Sequence, residues 1–496
     1  MKRIISLALL LSTVILSAVS CGGGDTGTAN ADTTAAGGDQ AVETTAAETT
    51  VINYKSANLP EKNYEGYNIR FRQPKPSYDN AWWYIDTETE NGEVLNDAIY
   101  KRNATIEEAF NVKITVDYSA DNATFTTDVQ NSVSAGDDLC DVAFGPLDQV
   151  NKLFVADMLI DFNTVDNINF SQPWWDQGFV DSFTINDKIF FGSGDISSVM
   201  DLRTYAMVFN KDLADKLGYE YPYEAVRNNK WTREYFLGYV KGVNSDVNGD
   251  GQMDYEDRWG YLSEWQCSAM LAVSFGAHIA ELDNNGQLVT KLLDERNISR
   301  LSSAIEIIID KEATIWANPL VQANNNSWPV ASNWFAEGGA LIRSASFETV
   351  PRDYRTMEQD FGIIPFPKYD EAQDSYRTVT AQTGNVVSLP VTVNDPDRAA
   401  LILEAMAAES VETIRPAFYD VCLTGKYVRD DESSDMIEII LDNKVYDPGY
   451  IFNIGSFRGT LQNLEKAYNA DVVSAITAIK DTMQAALDDQ MEIYNK

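Results

Sequence analysis

Histidine is almost absent from this chain: His278 is the only one in 496 residues. One imidazole excludes zinc hydrolysis through several histidine ligands, and any Cys-His or Ser-His-Asp site would have to run through that residue. His278 lies in Ser274-Phe-Gly-Ala-His-Ile-Ala-Glu281 with no cysteine beside it and reads as structural. Cysteine is scarce as well. Beyond Cys21 there are Cys140, Cys267 and Cys422, an odd and widely spaced set that fits neither a disulfide-stapled scaffold nor a zinc knuckle. They read as buried small hydrophobes, with one disulfide as the alternative. Cations are few: 38 Lys and Arg against 75 Asp and Glu leave a formal net charge of -37. A surface so acidic repels phosphate backbones and excludes nucleic acid as a partner. No Walker signature is present. No distinctive acid/base motif stands out either, although so many carboxylates leave a pair for glycoside cleavage open.

Long apolar runs are missing too, apart from one at the start. Lys2 and Arg3 precede an apolar stretch from Ile4 to Ala18, and small residues lead to Cys21. The stretch is too short and too close to the terminus for a permanent span, and it has the build of a secretory leader over residues 1–20. Ala18-Val-Ser-Cys21 looks like a bacterial lipoprotein cleavage box, with Ala18 where a Leu is usual, so Cys21 is expected to carry diacylglycerol. Residues 22–50 have no Lys, Arg or aromatic side chain and little to bury. Such a segment cannot recover the entropy of ordering and is expected to be a disordered tether, which we extend to residue 63.

The remaining body is long enough for two domains, and its periodicity alternates between strand and helix. Tyr67, Ile69 and Phe71 alternate as a strand. Leu95, Ile99, Ile106 and Phe110 share one helical face over 93–110, and Val112, Ile114 and Val116 alternate again. A helix near 125–133 leads to a short strand at Asp141-Val-Ala-Phe144. Because ligands gather at strand ends in open α/β sheets, Asp141 and the Gly145-Pro146 turn are candidate rim positions. Strands are also expected at Ile189–Phe191 and Met207–Phe209. Helices are expected after Asn210 with a stop at Gly218, after the cap Thr232, and after Asn394-Asp-Pro-Asp397. Val472, Ile476, Ile479, Met483 and Leu487 form a last helical stripe that reads as core.

The sharpest motif is Asp246-Val-Asn-Gly-Asp-Gly-Gln-Met-Asp-Tyr-Glu-Asp257. Oxygen donors Asp246, Asn248, Asp250, Asp254 and Asp257 fall at loop positions 1, 3, 5, 9 and 12, Gly251 sits at the sharp turn, and the Gln252 carbonyl would supply position 7. This donor set suits Ca²⁺ in a structural role; a metal-free turn rich in Asx residues is the alternative. Asp257 stands where an EF-hand has Glu, and no second loop pairs with it. Aromatic residues are the other signal, with ten Trp in the chain. Flat rings stack on the apolar faces of pyranoses while Asp, Asn, Gln and Arg satisfy hydroxyls, although for any single Trp packing is the commoner role.

Several stretches together resemble the extracellular solute-binding proteins of family 1, the carbohydrate-type receptors of ABC transporters. They are Leu95–Asn103, Tyr205–Asn210 with Lys211-Asp-Leu213, Trp231-Thr232, the Asp246–Asp257 loop, Phe335–Leu341, Phe361–Tyr369 and Arg429–Ser433. The resemblance spans residues 64–496. It implies an α/β, two-lobed periplasmic-binding-protein-like fold of type II, with crossover strands and a ligand cleft between lobes. Lobe 1 would comprise 64–185 plus 371–430, and lobe 2 would comprise 186–370 plus 431–496. It further implies that the strand after Phe335–Leu341 brings Ser344, Ala345 and Ser346 to the cleft, that Gln382 and Gly384 lie on its rim, and that Trp82, Trp83, Trp175, Tyr205 and Trp265 are its aromatics. The expected partners are a sugar or oligosaccharide, the permease of an ABC importer and, through the lipid, the membrane; a monomer is expected. A receptor for a peptide or organic acid, a secreted carbohydrate-active enzyme and an adhesive surface protein remain as alternatives.

Overall fold

A period-2 pattern followed by a 3.6 pattern and a second period-2 pattern builds a strand-helix-strand unit at the start of the body. The computed structural model describes residues 51–76, 80–325, 328–419 and 428–496, so Cys21, the leader, the tether up to residue 50 and Cys422 lie outside the described residues. Strand β1 (Tyr67–Pro74) pairs in parallel with β2 (Val112–Ser119) from Tyr67↔Val112 to Pro74↔Ser119, and the helix Val94–Phe110 connects them. Leu95, Ile99, Ile106 and Phe110 are all buried on its inner face. On the other side of β1 lies β3 (Val142–Pro146), also parallel.

The chain then leaves this sheet for a second one. Its strands are β4 (Tyr205–Asn210), β5 (Trp259–Ser263), β8 (Thr314–Trp316), β9 (Ala340–Ser346) and β10 (Phe361–Ile364), in the order β10-β4-β9-β5-β8. A separate hairpin pairs β6 (Glu281–Leu282) with β7 (Leu288–Val289). Strands β5, β8 and β9 are mutually parallel, while β4 runs against β9 and β10. The return passes through β11 (Thr378–Val379), which pairs with β13 (Lys444–Val445), to β12 (Asn385–Ser388). β12 closes the first sheet antiparallel to β3, giving the order β12-β3-β1-β2. Each sheet thus contains a strand reached by crossing from the other, which is the type II arrangement.

Val51 to Lys496 form one compact unit. The helix Pro396–Ser410 is deeply buried: twelve of its fifteen residues are inside, and its alanines let neighbouring helices approach. Val472, Ile476, Met483 and Leu487 of the last helix, Val472–Tyr494, are buried as expected. That helix packs on both Glu295–Ile309 and Leu147–Val155. Other expected features also form. Gly218 ends the helix Lys211–Leu217 in the left-handed region, and the Thr232 hydroxyl accepts from the Tyr235 amide. Ile189–Phe191 is a correction: it forms no strand. Its neighbour Gly192 exchanges two backbone hydrogen bonds with Val387, and the pairing goes no further.

Most of the stretches that resemble the family turn out to be structural. Arg102, fully buried, donates to the carbonyls of Ile85 and Ile196 at 2.6 and 2.7 Å, and Asn103 donates to Asp86. The Trp231 indole donates to the Pro365 carbonyl at 2.9 Å. Lys211 pairs with Asp430, the cap of helix Asp431–Asp442, where Tyr223 also donates. Such fully satisfied buried polar groups fix the packing of the elements that carry the site.

Candidate functional site

Parallel strands end together, and the two sheets leave a cleft where they do. Pro74, Ser119 and Pro146 terminate β1, β2 and β3, with Asn385 opposite Pro146 at the start of β12. In the second sheet Ser263 and Ser346 end β5 and β9, and Tyr205 lies opposite Ser346. The segments at these ends line a cavity of about 370 Å³: Arg203 and Tyr205, Glu264 to Gln266, Ser346, Glu348 and Thr349, and Gln382. Trp328, Arg343 and Arg352 complete it. A smaller recess of about 90 Å³ lies at the first sheet's ends and shares Arg203 as a wall. A larger depression of about 690 Å³ beside Tyr54, Asn63 and Phe110 lies at the amino ends of β1 and β2, away from this convergence.

The cavity is polar but internally neutralised. Glu348 binds Arg203 at 2.7 Å and Arg352 at 2.8 Å, and Arg352 continues to Asp353. Arg343 is held by Glu264 and donates to the Tyr354 hydroxyl at 2.6 Å. Burial works against the Arg343 charge, yet Glu264 and its neighbours hold its pKa above the ordinary arginine value. Burial likewise raises the Tyr205 phenol, which stays a neutral donor. Trp265, 48% exposed, offers an open ring face, and the Gln382 Oε1 is buried with no partner among the described residues.

The structure brings Tyr205, Trp265, Ser346 and Gln382 together on this cavity, and Trp83 onto the adjoining recess. It places the other expected residues elsewhere. Trp82, one position before Trp83, is packed into the core. Asp141 precedes β3 and so sits at the strand end opposite the cleft, where its carboxylate accepts from the Arg70 amide and guanidinium and from Tyr67. Trp175 is buried, its indole donating to Glu404 at 2.9 Å. Ser344 lies on the same face of β9 as Ser346 but two residues further inside the strand, where it is buried and shares a hydrogen bond of 2.7 Å with Tyr261; only the terminal Ser346 reaches the cavity. Gly384 lies against Met200, whose sulfur would be 2.4 Å from any Cβ, so it serves close packing. His278 is half-buried, its amide donating to Asn297.

Sequence reasoning missed Arg203, Glu264, Trp328, Arg343, Glu348 and Arg352. One signal was available: Arg203 stands two residues before β4, which runs against β9, and Glu348 follows β9 by two residues, so both lie at the carboxyl end of β9, where ligands collect.

The Asp246–Asp257 loop precedes β5. Its side chains close turns: Asp246 accepts from the amides of Gly249 and Gly251, Asn248 from Asp250, Asp250 from Gln252, and Asp257 from Val247 and Asp254. Among the described residues, no group of three or more Asp, Glu, His or Cys is gathered to hold a metal. No described helix is long and apolar enough to cross a membrane.

Comparison with known proteins agrees with the fold. A sugar transporter protein from Rhizobium etli, in an open conformation, superposes with a TM-score of 0.57 at 15% identity, covering 87% of this chain and 99% of that one. The apo-form of RafE from Streptococcus pneumoniae gives 0.53 at 15%, covering 85% and 98%. An ABC substrate-binding protein from Listeria monocytogenes in complex with cycloalternan gives 0.51 at 16%, covering 87% and 98%. No curated protein sequence matches the chain. The family model that matches, over residues 101–414, is that of family 8 and not the family 1 that the motifs resemble. With more than half its length matched and the type II fold in place, the chain belongs to the bacterial extracellular solute-binding proteins.

Proposed function

We propose that this protein is the substrate-binding component of an ABC-type importer, capturing a sugar or oligosaccharide in the cleft and presenting it to the permease. The observation that carries this reading is the cavity itself. It lies beyond the carboxyl ends of both sheets, with Trp265, Trp328 and Tyr205 beside guanidinium groups already neutralised by carboxylates. Such a lining offers stacking faces and many oriented donors and acceptors without a net charge, which suits neutral polyhydroxylated rings better than anions. Similar folds were solved with cycloalternan and with maltotetraose. Closure of the lobes, residues 64–185 with 371–430 over 186–370 with 431–496, would complete the hydrogen bonds and populate the closed form. Against a glycosidase, both cavity carboxylates, Glu264 and Glu348, are held by guanidinium groups, so neither is placed as a proton donor.

A thermal-shift screen against oligosaccharides, peptides and organic acids tests the reading, since a ligand of the native state raises apparent stability. A saturable rise with glycans and no product is expected; a rise with peptides or organic acids alone would defeat the sugar assignment. Two further expectations accompany it. Cys21 carries the lipid anchor, so palmitate labelling should vanish in Cys21→Ser. The Asp246–Asp257 loop takes Ca²⁺ as a structural ion; the oxygen spacing and the positive φ of Gly249 and Gly251 support this, although Asp250 and Asp254 would have to turn inward. Terbium luminescence titrated against Ca²⁺, absent in Asp246→Ala, checks it.

A further inference from the structure

The small recess holds polar atoms that the protein itself leaves unused. β1 sends Ile69, Phe71 and Gln73 to the same face, and all three are fully buried. Gln73 is therefore an amide in a position where the strand's alternation calls for a hydrocarbon. Its Nε2 donates to the Trp83 carbonyl at 2.6 Å, which fixes the amide plane and leaves Oε1 buried with no partner among the described residues. The Trp83 indole Nε1 is likewise buried without a partner, in a residue only 8% exposed. Both side chains line the recess, together with Pro74, Pro146, Asn385 and Arg203. The Arg203 guanidinium carbon lies 4.5 Å from the Trp83 ring centroid, and Arg203 separates the recess from the main cavity. A buried acceptor and a buried donor left unsatisfied are each costly, so such groups persist where something else completes them.

We infer that this recess is a subsite that reads one hydroxyl at the end of the glycan, a hydroxyl that donates to Gln73 Oε1 and accepts from Trp83 Nε1. The inference rests on the sugar-binding reading of the cleft. At about 90 Å³ the recess is roughly a quarter of the 370 Å³ main cavity, so the ring belongs in the main cavity and a hydroxymethyl or hydroxyl substituent in the recess. The ring that bears this group lies in the main cavity, beyond Arg203, and the prolines at the ends of β1 and β3 stop the chain from extending further. A terminal group is thereby distinguished from an internal one. A ligand without that hydroxyl leaves both polar atoms unpaired, and sites of this kind reject such analogues far more strongly than apolar pockets reject an absent methylene.

The test is isothermal titration of the full chain with maltotriose, cellotriose, raffinose and mannotriose, then with monodeoxy derivatives of the terminal rings of whichever binds. One derivative is expected to bind about 10- to 100-fold more weakly than its parent. Trp83→Phe keeps an aromatic ring beneath Arg203 and removes the indole N–H together with the five-membered ring that carries it. It should weaken the parent about 10-fold more than it weakens that derivative, with a small fall in melting temperature. If every monodeoxy derivative binds the wild type as well as its parent, the subsite is overturned while the cleft reading stands, a result that needs no variant to fold. If Trp83→Phe weakens parent and derivative equally, the subsite is again overturned. If none of the four trisaccharides binds, the cleft reading fails and takes the subsite with it.

Discussion

Two Trp-Trp pairs in this chain look alike in sequence and end in different surroundings. Trp174 and Trp175 direct both indoles onto one carboxylate, Glu404, at 3.1 and 2.9 Å, and the Trp175 ring packs on Phe170 with centroids 4.8 Å apart. The backbone of this pair is clamped as well, since a Cβ on Gly194 would lie 2.2 Å from the Trp174 carbonyl oxygen. Trp82 and Trp83 sit in a single turn, Ala81–Trp83, at the edge of the cleft. There the Trp83 indole N–H has no acceptor among the described residues, and its ring face carries Arg203. Burial does not distinguish the pairs, because all four rings are largely covered. What distinguishes them is whether the protein satisfies the indole itself or leaves the N–H to a cavity.

The largest effect expected from breaking this comparison is Trp175→Ala. It removes a fully packed indole and strands Glu404, so a loss of about 3–5 kcal/mol in unfolding free energy is expected by denaturant titration. The protein that remains folded should bind its ligand normally, because Trp175 does not line the cavity.

The carboxylate between the core pair comes next. Burial pushes Glu404 up to about 7, against the hydrogen bonds of both indoles and the Asn169 amide. A raised folded pKa means that the native state holds the proton more tightly than the unfolded chain. This contribution is complete below about pH 4.5 and fades as the pH rises through about 7. Melting temperatures measured at pH 5 and pH 8 should show the decline, and Glu404→Gln, neutral at both, should flatten it by an amount equivalent to roughly 1–3 kcal/mol.

On the cleft side the effects move from stability to binding. Trp265→Ala removes an open stacking face and should cost about 10-fold in glycan affinity with almost no change in melting temperature. The smallest stability change is expected for Arg203→Lys, which keeps a cation near Glu348 but loses the planar face over Trp83. Calorimetry should show a several-fold loss in affinity and a shift in melting temperature near the error of the measurement. A large destabilisation by either cleft substitution would erase the distinction between the pairs.

Much of the scaffold could be read in advance because it rests on local periodicity. The strand-helix-strand unit from Tyr67 to Ser119, the helix after Asp395 and the final helix all formed where alternation and capping placed them. Gln73 was not singled out, although it is a polar residue in phase with Ile69 and Phe71 at a strand's end. Asp141 was misplaced because it stands at the amino end of β3, whereas ligands gather beyond the carboxyl ends of parallel strands. Ser344 was misplaced because depth along β9 is not written in its alternation: it shares a face with Ser346, yet only Ser346, at the strand's end, emerges at the cavity while Ser344 is covered.

By itself, the sequence determined what each segment must bury. Apolar periodicity and the cost of unpaired backbone groups leave few choices of element, and together they specified an α/β body. Only the tertiary structure decided which polar side chains meet. Arg203, Glu348 and Gln382 come from segments far apart in the chain, and they share one cavity because Tyr205 pairs with Ser346 across the second sheet while β12 returns to the first. Sheet register is a long-range property, so the binding site, which is built on it, could not be read from local pattern.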